Sequence, residues 1–390
     1  MQNTQQLLLI RYGELGLKGK NKSKFIKALR DNISQALHNC GNSKVRSDWG
    51  RLWVETDQPQ QASNRLKQVF GIYSFSPVRQ VEKNLEAIAE AAYQTLIKAL
   101  PDGGKFKVET RRVDKTFPLA SPEISKQVAA ILFARLPASY QAEMHQPERT
   151  IQIEIRAEGA FVYGEVINGA RGLPVGTGGK GLLLLSGGID SPVAGWYALR
   201  RGVSLEAIHF HSFPFTGEKS KEKVVSLCKL LAKWQGAPLK LHVVHFTEIQ
   251  KAIHNNCAAE YGITLMRRMM YRIAESLATK RRALALYTGE SVGQVASQTL
   301  ESLATIEAVA EIPVLRPLIG LDKEDIVNVA QKIGSYETSI LPYEDCCTIF
   351  LPKFPKIRPT KAEAEHWEKE LAIEELIADA LAKTEVLVIS

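Results

Sequence analysis

The chain has 390 residues, 45% hydrophobic and 24% charged, with 50 Lys and Arg against 42 Asp and Glu for a net charge of +8. That composition excludes a disordered or fibrous chain and is enough for two or three domains with buried cores. The charge is uneven: residues 1–180 carry 26 basic and 17 acidic side chains, a net of +9, while the last thirty carry 3 and 8, a net of −5. A basic first half points to a polyanionic partner, nucleic acid before membrane.

Leu7–Ile10 is predicted as a strand and Lys24–Leu37 as an amphipathic helix, with Phe25, Ile26, Leu29, Ile33 and Leu37 at helical spacing. Arg51–Glu55 reads as a strand, Ala62–Phe70 as a short helix and Ile72–Val81 as extended. We read this as β-α-β-β-α-β, the ferredoxin-like pattern, over residues 1–80. A second α/β unit follows over 81–168. It holds helices at Asn84–Leu100 and Ser121–Leu136 and strands at Lys105–Val113, Thr150–Arg156 and Ala160–Ile167. The second helix opens with Ser-Pro-Glu, a Ser cap followed by Pro in the first turn. The Gly-rich stretch 169–180 reads as a linker.

From 181 to 390 the pattern becomes strand then helix, repeated. Strands are expected at Leu182–Leu185, Leu205–His209, Leu239–His245 and Leu284–Tyr287. Helices are expected at Ser191–Arg200, Lys219–Gln235, Glu248–Asn256, Leu265–Lys280, Asp322–Ile333 and Ala362–Ala382. Continuous apolar strands alternating with helices imply a parallel sheet covered on both faces, so the fold class is α/β multidomain.

No apolar run approaches the ~18–20 residues that span a bilayer, and Arg11 breaks the first apolar stretch after four residues. Neither a membrane segment nor a signal peptide is expected, and the expected compartment is the cytoplasm. Five scattered cysteines (Cys40, Cys228, Cys257, Cys346, Cys347) make no disulfide framework, and the lack of C-x-x-C gives zinc or iron–sulfur sites little support. Cys40, Cys228 and Cys257 are assigned to helix packing.

The sharpest motif is Leu182-Leu183-Leu184-Leu185-Ser186-Gly187-Gly188-Ile189-Asp190-Ser191-Pro192. An apolar strand ends in Ser-Gly-Gly-x-Asp-Ser and a helix begins at once. The glycines permit a tight turn and close approach to a ligand. The helix N-terminus adds unpaired N–H groups and the positive end of a dipole, and the serines add hydroxyls. Together they make an anion cradle at the carboxyl end of a strand. A Walker A string is missing. A second unusual string, Leu341-Pro342-Tyr343-Glu344-Asp345-Cys346-Cys347-Thr348-Ile349-Phe350, pairs two thiols in a polar loop. A thiolate can carry a persulfide sulfur, and its neighbour can resolve it or serve as a spare. Lys18, Lys20, Lys22 and Lys24 cluster within seven residues, and Arg111, Arg112 and Lys115 cluster at a strand end. Both groups could engage phosphates, although taken alone each reads first as a solvated face.

SGGIDS resembles the PP-loop of ATP-pyrophosphatases. With PYEDCCTIF it resembles the tRNA 4-thiouridine synthetase family, ThiI, over essentially the whole chain. RYGELGLKGKN is similar to that family's ferredoxin-like domain, and RRVDKTFP running into SPEISKQVA to its THUMP domain, an RNA-binding module. HFHSFPFT, MRRMM and YTGESVGQVASQT are similar to its nucleotide-binding segments. The resemblance implies a PP-loop domain over 181–390 that binds ATP and Mg²⁺ and adenylates the 4-oxygen of uridine 8 in tRNA. A persulfide would then displace AMP.

It further implies that Ser186, Gly187, Gly188, Asp190 and Ser191 hold phosphate, with Asp190 also on Mg²⁺. Leu184, Leu185, His209, Phe210, Arg267, Gly289 and Gln298 would complete the nucleotide site, and Cys346, with Cys347 as second choice, would carry sulfur. The chain ends about forty residues after Cys347, so it looks like the short form without a rhodanese domain, supplied by a cysteine desulfurase. A homodimer is implied too, while the family's link to thiamine thiazole synthesis is weaker here. The rival readings are another PP-loop adenylating ligase acting on a small molecule and a non-catalytic RNA-binding protein.

Overall fold

In the computed structural model, which describes residues 5–48, 51–295, 298–343 and 354–390, the chain divides between Gly172 and Leu173. The first unit begins with β1 (Gln6–Arg11), α1 (Lys22–Ala36), β2 (Lys44–Asp48), β3 (Arg51–Thr56), α2 (Pro59–Leu66) and β4 (Ser74–Val81). The pattern is β-α-β-β-α-β as expected, and its second strand, β2, is an element the sequence reading had not located. β2 pairs antiparallel with β3, which pairs with β1, which pairs with β4. Leu8, Leu9 and Ile10 are fully buried, and α1 closes on the sheet through Leu29 and Ile33.

The unit continues through α3 (Leu85–Ala99), β5 (Gly104–Arg112), α4 (Ser121–Phe133), β6 (Tyr140–Ala142), β7 (Arg149–Arg156), β8 (Gly159–Tyr163) and β9 (Ile167–Asn168). The far end of β4 pairs with β8, Arg79 opposite Val162 and Val81 opposite Ala160. Strands of both expected N-terminal domains therefore share one sheet, in the order β2-β3-β1-β4-β8-β7-β5-β6. Ile88, Ala92 and Leu96 of α3 and Ile124 and Val128 of α4 bury against Ile151, Ile153 and Val162. The expected Ser cap of α4 is corrected. Ala120 is the cap residue, and its N–H donates to the Glu123 carboxylate at 2.7 Å. The Ser121 hydroxyl instead accepts from the Arg112 N–H at 3.1 Å.

The second unit is a doubly wound sheet. Its elements are β10 (Lys180–Leu184), α5 (Asp190–Arg200), β11 (Ser204–His211), α6 (Glu218–Gln235), β12 (Leu239–His245), α7 (Thr247–Asn256), α8 (Gly262–Arg281), β13 (Leu286–Tyr287), α9 (Leu300–Glu307), β14 (Val314–Leu315), α10 (Lys323–Ile333), α11 (Tyr336–Ser339), α12 (Lys361–Glu368), α13 (Ile373–Ala382) and β15 (Glu385–Ile389). The strand order is β14-β13-β10-β11-β12-β15, parallel except for β15. Leu182, Ile208 and Phe210 pack with α7 and α8 on one face. On the other, Leu183 lies so close to Gly195 of α5 that a Cβ there would come within 2.7 Å of it. Burial on both faces is why these strands read as unbroken apolar runs. The antiparallel edge β15 had not been expected, and the helix expected over Ala362–Ala382 is two, α12 and α13. Cys40 and Cys228 are buried and Cys257 half-buried, though Cys40 follows α1 and Cys257 caps α7, so two of the three lie outside helices.

Candidate active site

β10 stops at Leu184, and the chain turns through Ser186–Ile189 into α5. The two serines close this turn on itself. The Ser191 hydroxyl accepts from the Ser186 N–H at 3.0 Å, donates to the Ser186 carbonyl at 3.1 Å, and lies 3.1 Å from the Ser186 hydroxyl. The Gly188 N–H donates to Ser186 Oγ at 3.3 Å. A loop fixed by its own side chains presents its remaining N–H groups without reorganising, as an anion site requires.

Gly289 follows β13 and supports this loop from the side. A Cβ on it would lie 2.6 Å from the Ser191 nitrogen and 2.7 Å from the Asp190 carbonyl carbon. Only a hydrogen fits there, so this glycine is needed for space. Asp190 accepts from Lys323 Nζ at 2.6 Å and from Gln294 Nε2 at 3.3 Å. Neither partner stands out in the sequence. Lys323 lies 133 positions away, at the first turn of α10, and Gln294 lies inside a string from which Gly289 and Gln298 had been singled out.

His209 is buried on β11 and its Nδ1 donates to the Leu185 carbonyl at 3.0 Å. The Leu185 N–H donates to the Ile208 carbonyl, so Leu185 is committed to the sheet, as is Leu184, which pairs with Ile208. Phe210 points to the opposite face and packs its ring 5.1 Å from Phe246 in the core. Gln298 closes its own loop, its carbonyl accepting from the Gly293 N–H at 2.9 Å. Its buried Oε1 has no hydrogen-bond partner among the described residues.

Arg267, on the first turns of α8, donates to Glu290, a carboxylate that the sequence reading missed. Glu290 is buried and also accepts from Tyr271, Thr288 and Arg316 at 2.7, 2.8 and 2.9 Å. Burial opposes its ionisation, but the charges of Arg267 and Arg316 and the two hydroxyl donors outweigh that and hold it below the usual carboxylate range. The network locks Arg267 one residue from Gly289. Thus Ser186–Ser191, His209, Gly289 and Arg267 gather at the carboxyl edge of the sheet, where open α/β folds bind ligands. The Phe210 side chain packs in the core. Cys346 and Cys347 lie outside the described residues.

In the first unit Lys18 sits 5.2 Å from the Phe25 ring centroid, Lys20 and Lys24 are exposed, and Lys22 opens α1. No acidic side chain occupies that first turn, so lysines and helix dipole add up to one positive patch. Arg111 and Lys115 are exposed. Arg112 has a structural task, donating to the carbonyls of Phe117 and Leu119 at 2.9 and 3.1 Å. No described helix is long and apolar enough to cross a membrane. Among the described residues no group of three His, Cys, Asp or Glu could hold a metal.

Comparison with known proteins agrees along the whole chain. The family described as thiamine biosynthesis protein (ThiI) matches residues 176–373, its ferredoxin-like domain 7–76, and the THUMP domain 82–165. A probable tRNA sulfurtransferase of Moorella thermoacetica is 50% identical over 98% of this chain and 97% of its own length. One from Brevibacillus brevis is 50% identical over 97% and 95%. A solved 4-thiouridine synthetase–RNA complex with bound ATP is 39% identical and superposes with a TM-score of 0.93, over 99% of this chain and 100% of that one. Matched over half its length by the family model and end to end by such relatives, the chain belongs to the ThiI family of tRNA sulfurtransferases.

Proposed function

We propose that this chain is an ATP-dependent tRNA uracil 4-sulfurtransferase that makes 4-thiouridine at position 8 of tRNA. The observation that carries the reading is the self-closed Ser186–Ser191 loop in a chain that superposes over 99% of its length on a 4-thiouridine synthetase bound to RNA and ATP. In this reading residues 1–80 and 81–168 hold the tRNA, and the domain over 181–390 holds ATP. Lys18, Lys20, Lys22, Lys24, Arg111 and Lys115 are the phosphate contacts, and Arg112 shapes the loop that carries Lys115.

The loop N–H groups and the N-terminus of α5 cradle the β- and γ-phosphates, which leave together as pyrophosphate. Uridine O4 attacks the α-phosphorus, and the developing charge on the departing phosphate is met by dipoles already in place. Arg267, held by Glu290, supplies a fixed cation to the same site. AMP on O4 makes that oxygen a good leaving group. The terminal sulfur of a persulfide on Cys346 attacks C4, AMP departs with O4, and a second thiol, Cys347, takes the Cys346 sulfur to release 4-thiouridine. The two cysteines end as a disulfide, which is reduced before the next turnover.

The residues present fit Mg²⁺. Asp190 is one carboxylate at the mouth of a phosphate loop, and Mg²⁺ is commonly held by one or two carboxylates plus substrate phosphates and water. Asp190 would hold it, in exchange for its bond to Lys323, and the ion would neutralise phosphate charge. The other partners in this reading are a cysteine desulfurase that loads the thiol and a second copy of the chain, in the cytoplasm.

Incubation with tRNA, MgATP and a persulfide donor tests the proposal. We expect 4-thiouridine together with AMP and pyrophosphate; absence of all three rules it out. A small-molecule ligase with the same loop would release AMP and pyrophosphate without salt-sensitive tRNA binding, so a filter-binding titration separates the two.

A further inference from the structure

The first unit's sheet holds a contact that its strand order does not foretell. In the order β2-β3-β1-β4-β8-β7-β5-β6, β3 and β7 stand four places apart. At ~4.8 Å between neighbours that is about 19 Å across a flat sheet, farther than an Arg and a Glu side chain reach together. Yet Arg51 of β3 meets Glu154 of β7 at 2.9 Å. Trp53 of β3 and Phe161 of β8, three places apart, hold their ring centroids at 4.9 Å. The Arg11 guanidinium of β1 lies 4.8 Å from the ring centroid of Tyr163 on β8. The sheet therefore curls about β4, and one of its faces closes on itself.

β4 is the strand that both expected N-terminal domains share. It pairs with β1 over Ser74–Val78 and with β8 over Arg79–Val81. Inside the curl Leu9 and Trp53 pack with Phe161 and Tyr163. Glu154, opposite Phe161 in the β7–β8 register, is 3% exposed. Besides Arg51 it accepts from Arg156 and from the Tyr163 hydroxyl, both at 3.1 Å. Apolar residues of similar volume often close such a face at least as well, and the best-attested use of a buried ion cluster is to fix one arrangement among several. The cluster also lies at the root of both basic patches. Arg111 stands opposite Glu154 in the β5–β7 register. Arg11, over the Tyr163 ring, ends the strand that leads to Lys18.

We propose that Arg51 and Glu154 are positioning residues for tRNA. Their clasp across the curled sheet holds the Lys18–Lys24 patch and the Arg111–Lys115 patch at one fixed separation, so that a single folded RNA meets both at once. The inference rests on the reading of those patches as phosphate contacts, and it assigns neither Arg51 nor Glu154 a contact with RNA.

Two RNAs separate this role from a merely structural one. Glu154→Gln keeps the shape of the side chain and makes the unit one charge more positive, so charge alone would tighten binding of any RNA. A lost clasp is expected instead to weaken tRNA binding at least about tenfold, because linked patches gain avidity only when both can be met together. A short single-stranded RNA, flexible enough to meet each patch by itself, is expected to bind within about twofold of the parent chain. Filter binding of both RNAs at one salt concentration reads this. A tRNA affinity within about twofold of the parent or above it, or both affinities falling together, overturns the proposal. Arg51→Met leaves Glu154 paired with Arg156 and Tyr163; it carries the same two expectations and decides the matter if Glu154→Gln does not fold. Arg51→Lys, which keeps the charge, is expected to retain part of the tRNA affinity that Arg51→Met loses. The underlying reading is tested separately by Ala at Lys18, Lys20, Lys22 and Lys24: if that variant binds tRNA as the parent does, the phosphate-contact assignment fails whatever Glu154→Gln does.

Discussion

At the scale of single residues the account turns on space and charge around one loop. Gly289 has no room for a methyl group, because the atoms it would strike belong to the backbone of Asp190 and Ser191 and cannot swing aside. Gly289→Ala is therefore expected to cost about 1–3 kcal/mol of stability through overpacking and to cut pyrophosphate release more than tenfold. Denaturant midpoints and a pyrophosphate assay check both. Asp190→Asn keeps the shape of the carboxylate and removes its charge, so it is expected to unfold normally while losing on the order of 10²-fold in pyrophosphate release. The loop was legible because all its parts are contiguous: strand, two glycines, two serines, helix. Lys323 and Glu290 were not legible, since each matters through a partner that only the fold brings near. Phe210 stood in a telling string, yet the period of two along β11 turns it away from His209 and into the core.

Elements are joined in the second unit by buried ion clusters, and these set its response to acid. Arg268, 1% exposed, and Arg272 both grip Glu368 of α12 in paired bonds of 2.6–2.9 Å, tying α12 to α8. Burial pushes the Glu368 carboxyl up, but the bonds and charges of the two arginines prevail and hold it at about 2. Glu206 is likewise held at about 2, burial being overcome by Arg281, His242 and Lys180. Both values lie below those of the unfolded chain, ~4.3 for Glu. This stabilisation is therefore complete above about pH 4.5 and is lost as pH falls toward 2. Urea unfolding at pH 7, 4 and 3 should show the midpoint dropping across that window. Glu368→Gln, which strands two arginines, is expected to cost about 3–5 kcal/mol at pH 7 and to flatten the pH dependence. Helices and central strands were legible from periodicity and unbroken apolar runs. β2, in Lys44-Val45-Arg46-Ser47-Asp48, has one apolar residue in five and is made a strand by pairing with β3. β15 lies beyond a helical pattern and runs against the other strands, which the strand–helix alternation does not foretell.

For the whole molecule, the proposed function requires the basic first unit and the nucleotide loop of the second to serve one tRNA. Each phosphate neutralised should contribute roughly −0.7 to −0.9 to the slope of log affinity against log salt. Replacing Lys18, Lys20, Lys22 and Lys24 by Ala is expected to make that slope shallower by up to about 3. At saturating tRNA it should leave the pyrophosphate burst intact, as filter binding across a salt series and a burst assay will show. Family-specific strings made the organisation legible along the whole chain, whereas the continuity of the first unit's sheet through β4 required the fold. The central claim is that ATP is used to make a base oxygen leave. It is tested most directly with tRNA carrying ¹⁸O at O4 of uridine 8, MgATP and a persulfide donor, followed by mass spectrometry of the products. The account expects the heavy oxygen in AMP, in step with 4-thiouridine; heavy oxygen in water or inorganic phosphate, with AMP unlabelled, would contradict it.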